Sequence, residues 1–223
     1  MDKPFILSTK TLPSLLRERI VQNGLAYMEY NAIRIVPVHF ELPTLADYVI
    51  FSSQNATKAV LNKAHNLHDT QVLCVGKQSE KLLLGKNIKP LKTAQNMSVL
   101  IDFIEKLNKN DRFLHFCGNR RLPVLANKMK DWKCNFREVV VYQTELTNTK
   151  IEAAPDAILF FSPSGVESHQ NQNDITNAHC FCIGNTTATA FRQTPKSIQA
   201  VKNASMEQVV AKAIHYFKLS QHA

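Results

Sequence analysis

The stretch Ala157-Ile158-Leu159-Phe160-Phe161-Ser162-Pro163-Ser164-Gly165-Val166-Glu167-Ser168 decides the fold that the sequence predicts. Its first five residues are all apolar, which is typical of a parallel strand covered on both faces. The hydroxylated residues and glycine that follow predict a tight turn and a helix start. Ligands of open α/β sheets bind at such strand ends, because the next helix presents unpaired N–H groups there. The stretch suits an anion, but an ordinary capped turn without a ligand also explains it.

A similar pattern occurs 110 residues upstream, where residues 49–55 align with residues 159–165. Both segments pass from an apolar strand into serine. Val75-Gly76 aligns approximately with Ile183-Gly184 in the same way. A repeat unit of about half the chain is far longer than a solenoid period. The sequence therefore predicts two α/β domains with parallel sheets.

The composition supports two small cores, since 44% of the 223 residues are hydrophobic. No apolar run reaches membrane-spanning length, and the first residues have no long signal-type core. The five cysteines include no C-x-x-C pair and no histidine at zinc-ligand spacing. We therefore expect a cytoplasmic protein with reduced cysteines and no metal, in which Cys180 and Cys182 pack on one face of a buried strand. Most histidines are expected at the surface or in a supporting position behind the site residues.

The net charge of +9 favours acidic partners through its long-range field. The basic residues are scattered rather than gathered in a short tract, and no aromatic–basic RNA-binding signature is present. We expect a small polyanion as the partner, and neither nucleic acid nor a membrane. No heptad or additional apolar stripe indicates an oligomer, so a monomer is expected.

Strand and helix patterns alternate along the chain, and Pro37 predicts an edge strand or a connector. The predicted strands cover residues 5–7, 33–36, 49–51, 72–75, 112–117, 139–144 and 157–161, and another begins near residue 178. The predicted helices cover residues 13–22, 99–106 with a cap near Ser98, 122–129, 188–192 and 206–217, with further helices through Ala56, Val60 and Ala64 and through Leu82 and Leu84.

Small polar residues follow four of these strands, and a glycine with two arginines follows a fifth. The residues are Ser52, Ser53, Ser79, Ser162, Ser164, Thr186 and Thr187, with Gly118, Asn119, Arg120 and Arg121 as the fifth group. Arginine can hold a carboxylate with two N–H bonds, although solvated arginines at a helix start fit equally. Thr186 and Thr187 are also good N-cap types.

No Ser-His-Asp set, G-x-S-x-G elbow, Walker loop or G-x-G-x-x-G fingerprint is present in the sequence. Covalent catalysis, a nucleotide, a cofactor and a metal are therefore not expected. The polar strand ends predict a cleft that binds carboxylates, where catalysis would depend on positioning.

Four motifs in this order resemble the uroporphyrinogen-III synthase family: Phe116-Cys117-Gly118-Asn119 followed by arginine, Val141-Tyr142-Gln143-Thr144, Phe160-Phe161-Ser162-Pro163-Ser164-Gly165 and Ile183-Gly184-Asn185-Thr186-Thr187-Ala188. The resemblance covers nearly the whole chain. It implies two flavodoxin-like parallel-sheet domains joined by a two-strand hinge, with the ligand in the cleft between them. The first β-α-β unit then belongs to the carboxyl-terminal lobe. The domains are residues 1–36 with 147–223 and residues 41–140, and the hinge strands are 37–40 and 141–146.

The resemblance also implies the reaction, in which hydroxymethylbilane, a linear tetrapyrrole polycarboxylate, closes to uroporphyrinogen III with loss of water and inversion of the last ring. No cofactor takes part. Tyr142 is implied as the catalytic donor that assists departure of the hydroxyl, although a tyrosine packed in the hinge fits too. The implied substrate-binding residues are Ser52, Ser53, Asn55, Ser79, Gly118, Asn119, Arg120, Ser162, Ser164, Gly165, Thr186 and Thr187.

The chain departs from the family pattern in the middle domain. Ser52 stands where threonine is usual, and Lys77-Gln78-Ser79 lacks the usual threonine. These departures leave a second function open, namely a non-catalytic two-lobed module that binds an acidic metabolite.

Overall fold

The computed structural model describes residues 3–43, 46–63, 67 and 70–220. Its strands are β1 (Phe5–Ser8), β2 (Ala26–Glu29), β3 (Ile33–Pro37), β4 (Tyr48–Phe51), β5 (Gln71–Val75), β6 (Lys92–Ala94), β7 (Arg112–Gly118), β8 (Asn135–Leu146), β9 (Ala157–Phe160), β10 (His179–Cys182) and β11 (Ser197–Ala200). Its helices are α1 (Ser14–Gln22), α2 (Gln54–Leu61), α3 (Lys77–Leu84), α4 (Met97–Ile104), α5 (Val124–Asp131), α6 (Pro163–Gln170), α7 (Asn185–Ala188) and α8 (Met206–Ser220). None of these helices, within the described residues, is long and apolar enough to cross a membrane.

The chain divides into two compact units. The split unit contains Met1–Arg34 and Glu145–Ala223, and the middle unit contains Ile35–Thr144. One division falls inside β3 and the other inside β8, the two strands that lie side by side at one end of a sheet. The sequence-based expectation had placed these divisions around two hinge strands, at residues 37–40 and 141–146.

The split unit contains a five-stranded sheet in the order β11-β10-β9-β1-β2, with parallel pairing throughout. Strand β1 lies between β2 and β9, with Ile6 opposite Ala157. The amino-terminal β1-α1-β2 segment therefore completes the sheet of the carboxyl-terminal part of the chain. The α/β fold class with parallel sheets is confirmed.

The middle unit contains a six-stranded sheet in the order β3-β8-β7-β4-β5-β6. The pairs from β8 to β6 are parallel, so these strands end at the same edge. Pro37 ends the edge strand β3, as predicted, where its missing N–H costs no ladder hydrogen bond.

Strand β9 is buried on both faces, as its continuous apolar run predicted. Ala157 and Leu159 pack against α1 and α8 in one cluster, whereas Ile158 and Phe160 pack in a second cluster with α6. All four side chains are fully buried. Cys180 and Cys182 lie together in the second cluster, which confirms their predicted shared face. Burial raises the pKa of Cys182 to about 12, so its thiol packs as a small apolar group.

For the edge strand β6 the sequence predicted only a strand-like stub at Leu91, directly before it. The sequence missed the edge strands β2 and β11, because neither has a fully buried residue and hence neither shows an apolar run. Helix α4 begins at Met97 with Asn96 as its N-cap, two residues before Ser98, in agreement with the prediction of a cap at Ser98 or a nearby residue. Helix α7 covers Asn185–Ala188 and precedes the predicted range of 188–192. Helix α2 ends at Leu61, and Ala64 lies outside the described residues.

Two histidines of the described residues, His115 and His169, are buried. His169 is only 1% exposed, and its Nδ1 lies 2.7 Å from the Tyr30 hydroxyl. Burial lowers the pKa of His169 to about 4, because the charged imidazolium would lose its hydration. His169 is therefore neutral in the folded protein near pH 7.

This burial predicts a loss of stability in mild acid. The unfolded chain takes up a proton on His169 near pH 6.5, but the folded chain does so only near pH 4. Between these values the unfolded state binds more protons. The free energy of unfolding should therefore decrease as the pH is lowered, by up to about 3 kcal/mol. In His169→Gln this component should be absent, whereas the exposed control His215→Gln should keep it. Urea midpoints from pH 7 to pH 4.5 measure the difference, and equal slopes for the two variants would contradict the assignment.

Candidate active site

The carboxyl ends of β4, β5 and β7 bring most of the predicted polar residues of the middle unit to one edge of its sheet. Parallel pairing has this effect because neighbouring strands end together. Ser52 and Ser53 follow β4, Gly76 follows β5, and Asn119 follows β7.

Tyr142 lies in β8 at a bulge. Cys117 pairs with Val140 but Gly118 pairs with Tyr142, so Val141 is the additional residue. The bulge places the Tyr142 ring directly over Gly118, where a Cβ atom would lie 2.4 Å from the ring Cζ. The main-chain N–H of Asn119 donates to the Tyr142 carbonyl at 3.3 Å. Gly118 thus contributes by having no side chain, which lets the phenol reach the strand edge.

The Tyr142 phenol donates a hydrogen bond to the Ser53 hydroxyl at 3.0 Å. Ser53 is also the N-cap of α2, and its hydroxyl oxygen accepts from the Asn55 N–H at 3.1 Å. With both lone pairs used, the Ser53 hydroxyl keeps its own hydrogen as the group that it can offer to a ligand.

A cavity of about 340 Å³ adjoins this pair within the middle unit. Tyr142 and Asn55 are in its wall together with two lysines, Lys58 and Lys63. Lys63 donates to the Phe40 carbonyl and lies 4.7 Å from the centre of the Phe40 ring. Cations beside hydroxyl and amide donors suit an anionic ligand.

Ser52 belongs to a hydrogen-bond network with three further residues, which passes through the buried His115 and the half-buried Glu138 to the exposed Arg121. Its hydroxyl lies 2.7 Å from His115 Nε2, and His115 Nδ1 lies 3.0 Å from Glu138 Oε1. The Arg121 Nε and a terminal guanidinium nitrogen donate to Glu138 Oε2 at 2.9 and 2.5 Å. Hydrogen bonds from His115, followed by those from Arg121, lower the pKa of Glu138 to about 2, against the opposing effect of burial. The Arg121 guanidinium, which the sequence offered as a possible partner for a substrate carboxylate, is paired with the carboxylate of Glu138 instead.

The same region offers three metal-ligating atom types, on His115, Cys117 and Glu138, within 4.8 Å of one another. The residues do not fit a metal, because Glu138 is already paired with Arg121 and His115. Burial, followed by repulsion from Glu138, raises the pKa of the Cys117 thiol to about 11, so this sulfur stays protonated at neutral pH.

Three other predicted residues of the middle unit lie in different surroundings. The Asn119 side chain accepts from the Thr144 N–H at 2.9 Å and so ties the turn after β7 to β8. Arg120 is exposed. Ser79 is only 2% exposed inside α3, which leaves it almost no surface for a ligand.

In the split unit, Ser162 follows β9 and is the N-cap of α6. Its hydroxyl oxygen accepts from the Gly165 N–H at 3.0 Å and lies 3.2 Å from the Ser164 hydroxyl. Thr9, which follows β1, donates to the Leu159 carbonyl at 2.7 Å and is buried beside this turn. The predicted group Ser162, Ser164 and Gly165 is therefore contiguous at the carboxyl end of β9.

Thr186 and Thr187 lie in the short helix α7 after β10. The N-cap of this helix is Gly184 in an extended conformation, so the prediction of a threonine cap was wrong. Thr186 is exposed, whereas Thr187 is only 2% exposed. Thr186 is thus the more accessible of the two hydroxyls.

Sequence reasoning missed His115 and Glu138. The signal was a lone histidine inside the apolar strand Phe113 to Cys117, and a lone glutamate on the following strand. Only the register of β7 against β8, which pairs His115 directly with Glu138, turns these two residues into partners. A Ser-His-acid series was therefore invisible as a sequence motif.

Comparison with known proteins gives one family. The model of the family described as uroporphyrinogen-III synthase HemD matches residues 14–211. The uroporphyrinogen-III synthetase structure from Helicobacter pylori is 18% identical, with a TM-score of 0.70 over 96% of this chain and 99% of that one. A mutant uroporphyrinogen III synthase structure from Thermus thermophilus is 13% identical, with a TM-score of 0.72 over 99% and 100%. At these identities the structures show the shared fold. No curated protein matches the sequence.

The close approach of Tyr142 to Gly118 predicts the effect of adding one methyl group. Gly118→Ala should lower the free energy of unfolding by roughly 1–3 kcal/mol, because its Cβ overlaps a ring held between strands. The control is Gly85→Ala in the same unit, where the backbone is helical and the nearest atom is 3.4 Å away. We expect this control to be neutral or stabilising by up to about 1 kcal/mol. Chemical denaturation measures both, and equal stability of the two variants would refute the contact.

Proposed function

Because the chain belongs to the uroporphyrinogen-III synthase family, which comprises lyases of tetrapyrrole and haem biosynthesis, we propose that it cyclises hydroxymethylbilane to uroporphyrinogen III. The reaction loses the substrate hydroxyl as water and inverts the last ring. The observation that carries the proposal is the Tyr142 phenol, which lies over Gly118 and donates a hydrogen bond to Ser53 beyond the carboxyl end of β4.

We assign to Tyr142 the role of donating a hydrogen bond to the departing hydroxyl. Its phenol already has a precise position, since the bulge, Gly118 and Ser53 restrict it together. Ser53 can accept the Tyr142 hydrogen bond in the free protein and release it when substrate arrives. Such positioning stabilises departure of the hydroxyl without a strong acid.

The charge of the middle unit supports a polycarboxylate substrate. Beside the cavity with Lys58 and Lys63 there is a second cavity of about 430 Å³ between α2 and α3. Lys58, Lys81 and Lys86 line it, and none of its described lining residues is acidic. Lysines at this density attract carboxylates and lower the cost of bringing several of them together.

The split unit supports carboxylate binding by itself. Ser162 and Ser164 stand at the start of α6, where the helix dipole and the first N–H groups favour negative charge. Thr186 presents an exposed hydroxyl at the start of α7. We propose that these hydroxyls bind substrate carboxylates.

A monomeric state, a cytoplasmic location and the absence of nucleic-acid binding stay predictions. Sedimentation of the purified protein and salt-dependent retention on DNA test two of them.

The proposal predicts the isomer of the product. Purified protein given fresh hydroxymethylbilane should yield mainly the type III isomer. Tyr142→Phe should keep the fold and lower kcat about 10- to 100-fold, the worth of one hydrogen bond to a developing charge. Tyr48→Phe, which removes a phenol at the opposite end of β4, is the matched control and should keep full activity. A product mixture equal to the reaction without protein would leave the non-catalytic binding module as the better description.

Variants of Ser162 and Ser164, at the start of α6, should separate an effect on stability from an effect on substrate binding. Ser164→Ala should raise KM with little change in stability, because Ser164 does not cap the helix. Ser162→Ala should raise KM and also cost about 1 kcal/mol of stability, because it removes the N-cap. Steady-state kinetics and thermal melts on both variants measure this. An unchanged KM in both would remove these hydroxyls from the substrate site.

A further inference from the structure

We propose that His115, held by Glu138, decides the direction of the Ser52 hydroxyl, so that Ser52 donates to a substrate carboxylate only when His115 is protonated. The proposal rests on the function above, because it requires a carboxylate-bearing substrate at this strand edge. It makes His115 and Glu138 positioning residues that act through Ser52.

Three adjacent strands create the arrangement. His115 in β7 lies opposite Ile50 of β4 on one side and Glu138 of β8 on the other. Ser52 is two positions beyond Ile50, so its side chain projects on the same face of the sheet as His115. His115 is only 2% exposed, whereas Ser52 is half-buried at the edge. The network therefore leads from the half-buried Ser52 to a buried imidazole.

The ionised carboxylate of Glu138 fixes the histidine tautomer. A carboxylate oxygen only accepts hydrogen bonds, so the 3.0 Å contact requires the proton of neutral His115 to be on Nδ1. Nε2 is then an acceptor, and the 2.7 Å contact requires Ser52 to donate its only hydrogen to it. In this state the Ser52 oxygen presents lone pairs to a ligand, and a carboxylate is repelled.

Protonation reverses the polarity of the contact. The imidazolium carries N–H groups at both nitrogens, so Nε2 donates to the Ser52 oxygen. The hydroxyl hydrogen is then released and can bond to a carboxylate of the substrate. Each carboxylate bound by Ser52 therefore requires one proton on His115, and binding weakens as pH rises past the point where His115 loses that proton.

Two charged residues are joined to His115 in the hydrogen-bond network. Glu138 lies 3.0 Å from its Nδ1 and is itself paired with the Arg121 guanidinium at 2.5 Å. Cys117 is uncharged because burial raises its pKa, and the Phe136 ring stacks at 6.3 Å. Helices α4 and α5 pack on this face of β7, and they contribute the apolar residues Leu100, Ile104, Leu125 and Met129. Glu138 and Arg121 are thus the two charges whose removal should shift the titration, with opposite signs.

The test is the pH dependence of KM for hydroxymethylbilane in the wild type and three variants. In the wild type KM should rise roughly 10-fold through one titration step, the worth of one hydrogen bond to a charged group. Ser52→Ala should have a high KM without this step. Glu138→Gln should move the midpoint down by about one pH unit or more, and Arg121→Gln should move it up. A step that persists in Ser52→Ala, or shifts of the same sign in the other two variants, would overturn the proposal.

A second measurement does not depend on turnover. Nitrogen NMR of labelled histidine in the free protein should show His115 protonated at Nδ1 when neutral, and the opposite tautomer would refute the proposal. If the isomer assay fails while this tautomer and its titration are observed, the proposed function falls and the control of Ser52 by His115 remains. The isomer assay and the NMR measurement therefore distinguish failure of the proposed function from failure of this further inference.

Discussion

Parallel pairing of β4, β7 and β8 is the constraint on which the candidate site depends. It brings residues far apart in sequence to one edge, with Ser53 from the first strand, Gly118 from the second and Tyr142 from the third. A single bulge then adds Val141 and shifts Tyr142 by one position relative to its neighbours. Without that shift the phenol would alternate to the other face of the sheet, because successive side chains point in opposite directions.

The fold could be predicted from the sequence where burial leaves a compositional mark. Strand β9 reads as a continuous apolar run because it is covered on both faces, and the 110-residue repeat indicates two similar units. Strands β2 and β11 leave no such mark, since they lie at sheet edges with only partial burial. The start of α7 was less predictable, because Gly184 is at the capping position although Thr186 and Thr187 are residues of good capping type.

The candidate site was predictable to the extent that it consists of strand ends. Ser52, Ser53 and Ser162 follow their strands as expected, and their hydroxyls take part in hydrogen bonds there. Sequence could not reveal that Ser79 and Thr187 turn inward, since one residue of helix phase decides burial. Nor could it pair His115 with Glu138, because strand register is a tertiary property.

The position of β1 between β2 and β9 has a consequence for synthesis on the ribosome. The middle unit has all its strands once β8 has been made, so it can fold while the chain is still growing. The amino-terminal β1-α1-β2 segment must wait for β9, β10 and β11, which are translated later. Ile6 and Leu7, which lie on opposite faces of β1, lack their packing partners from the later strands during that interval, so the segment is a candidate substrate for chaperones.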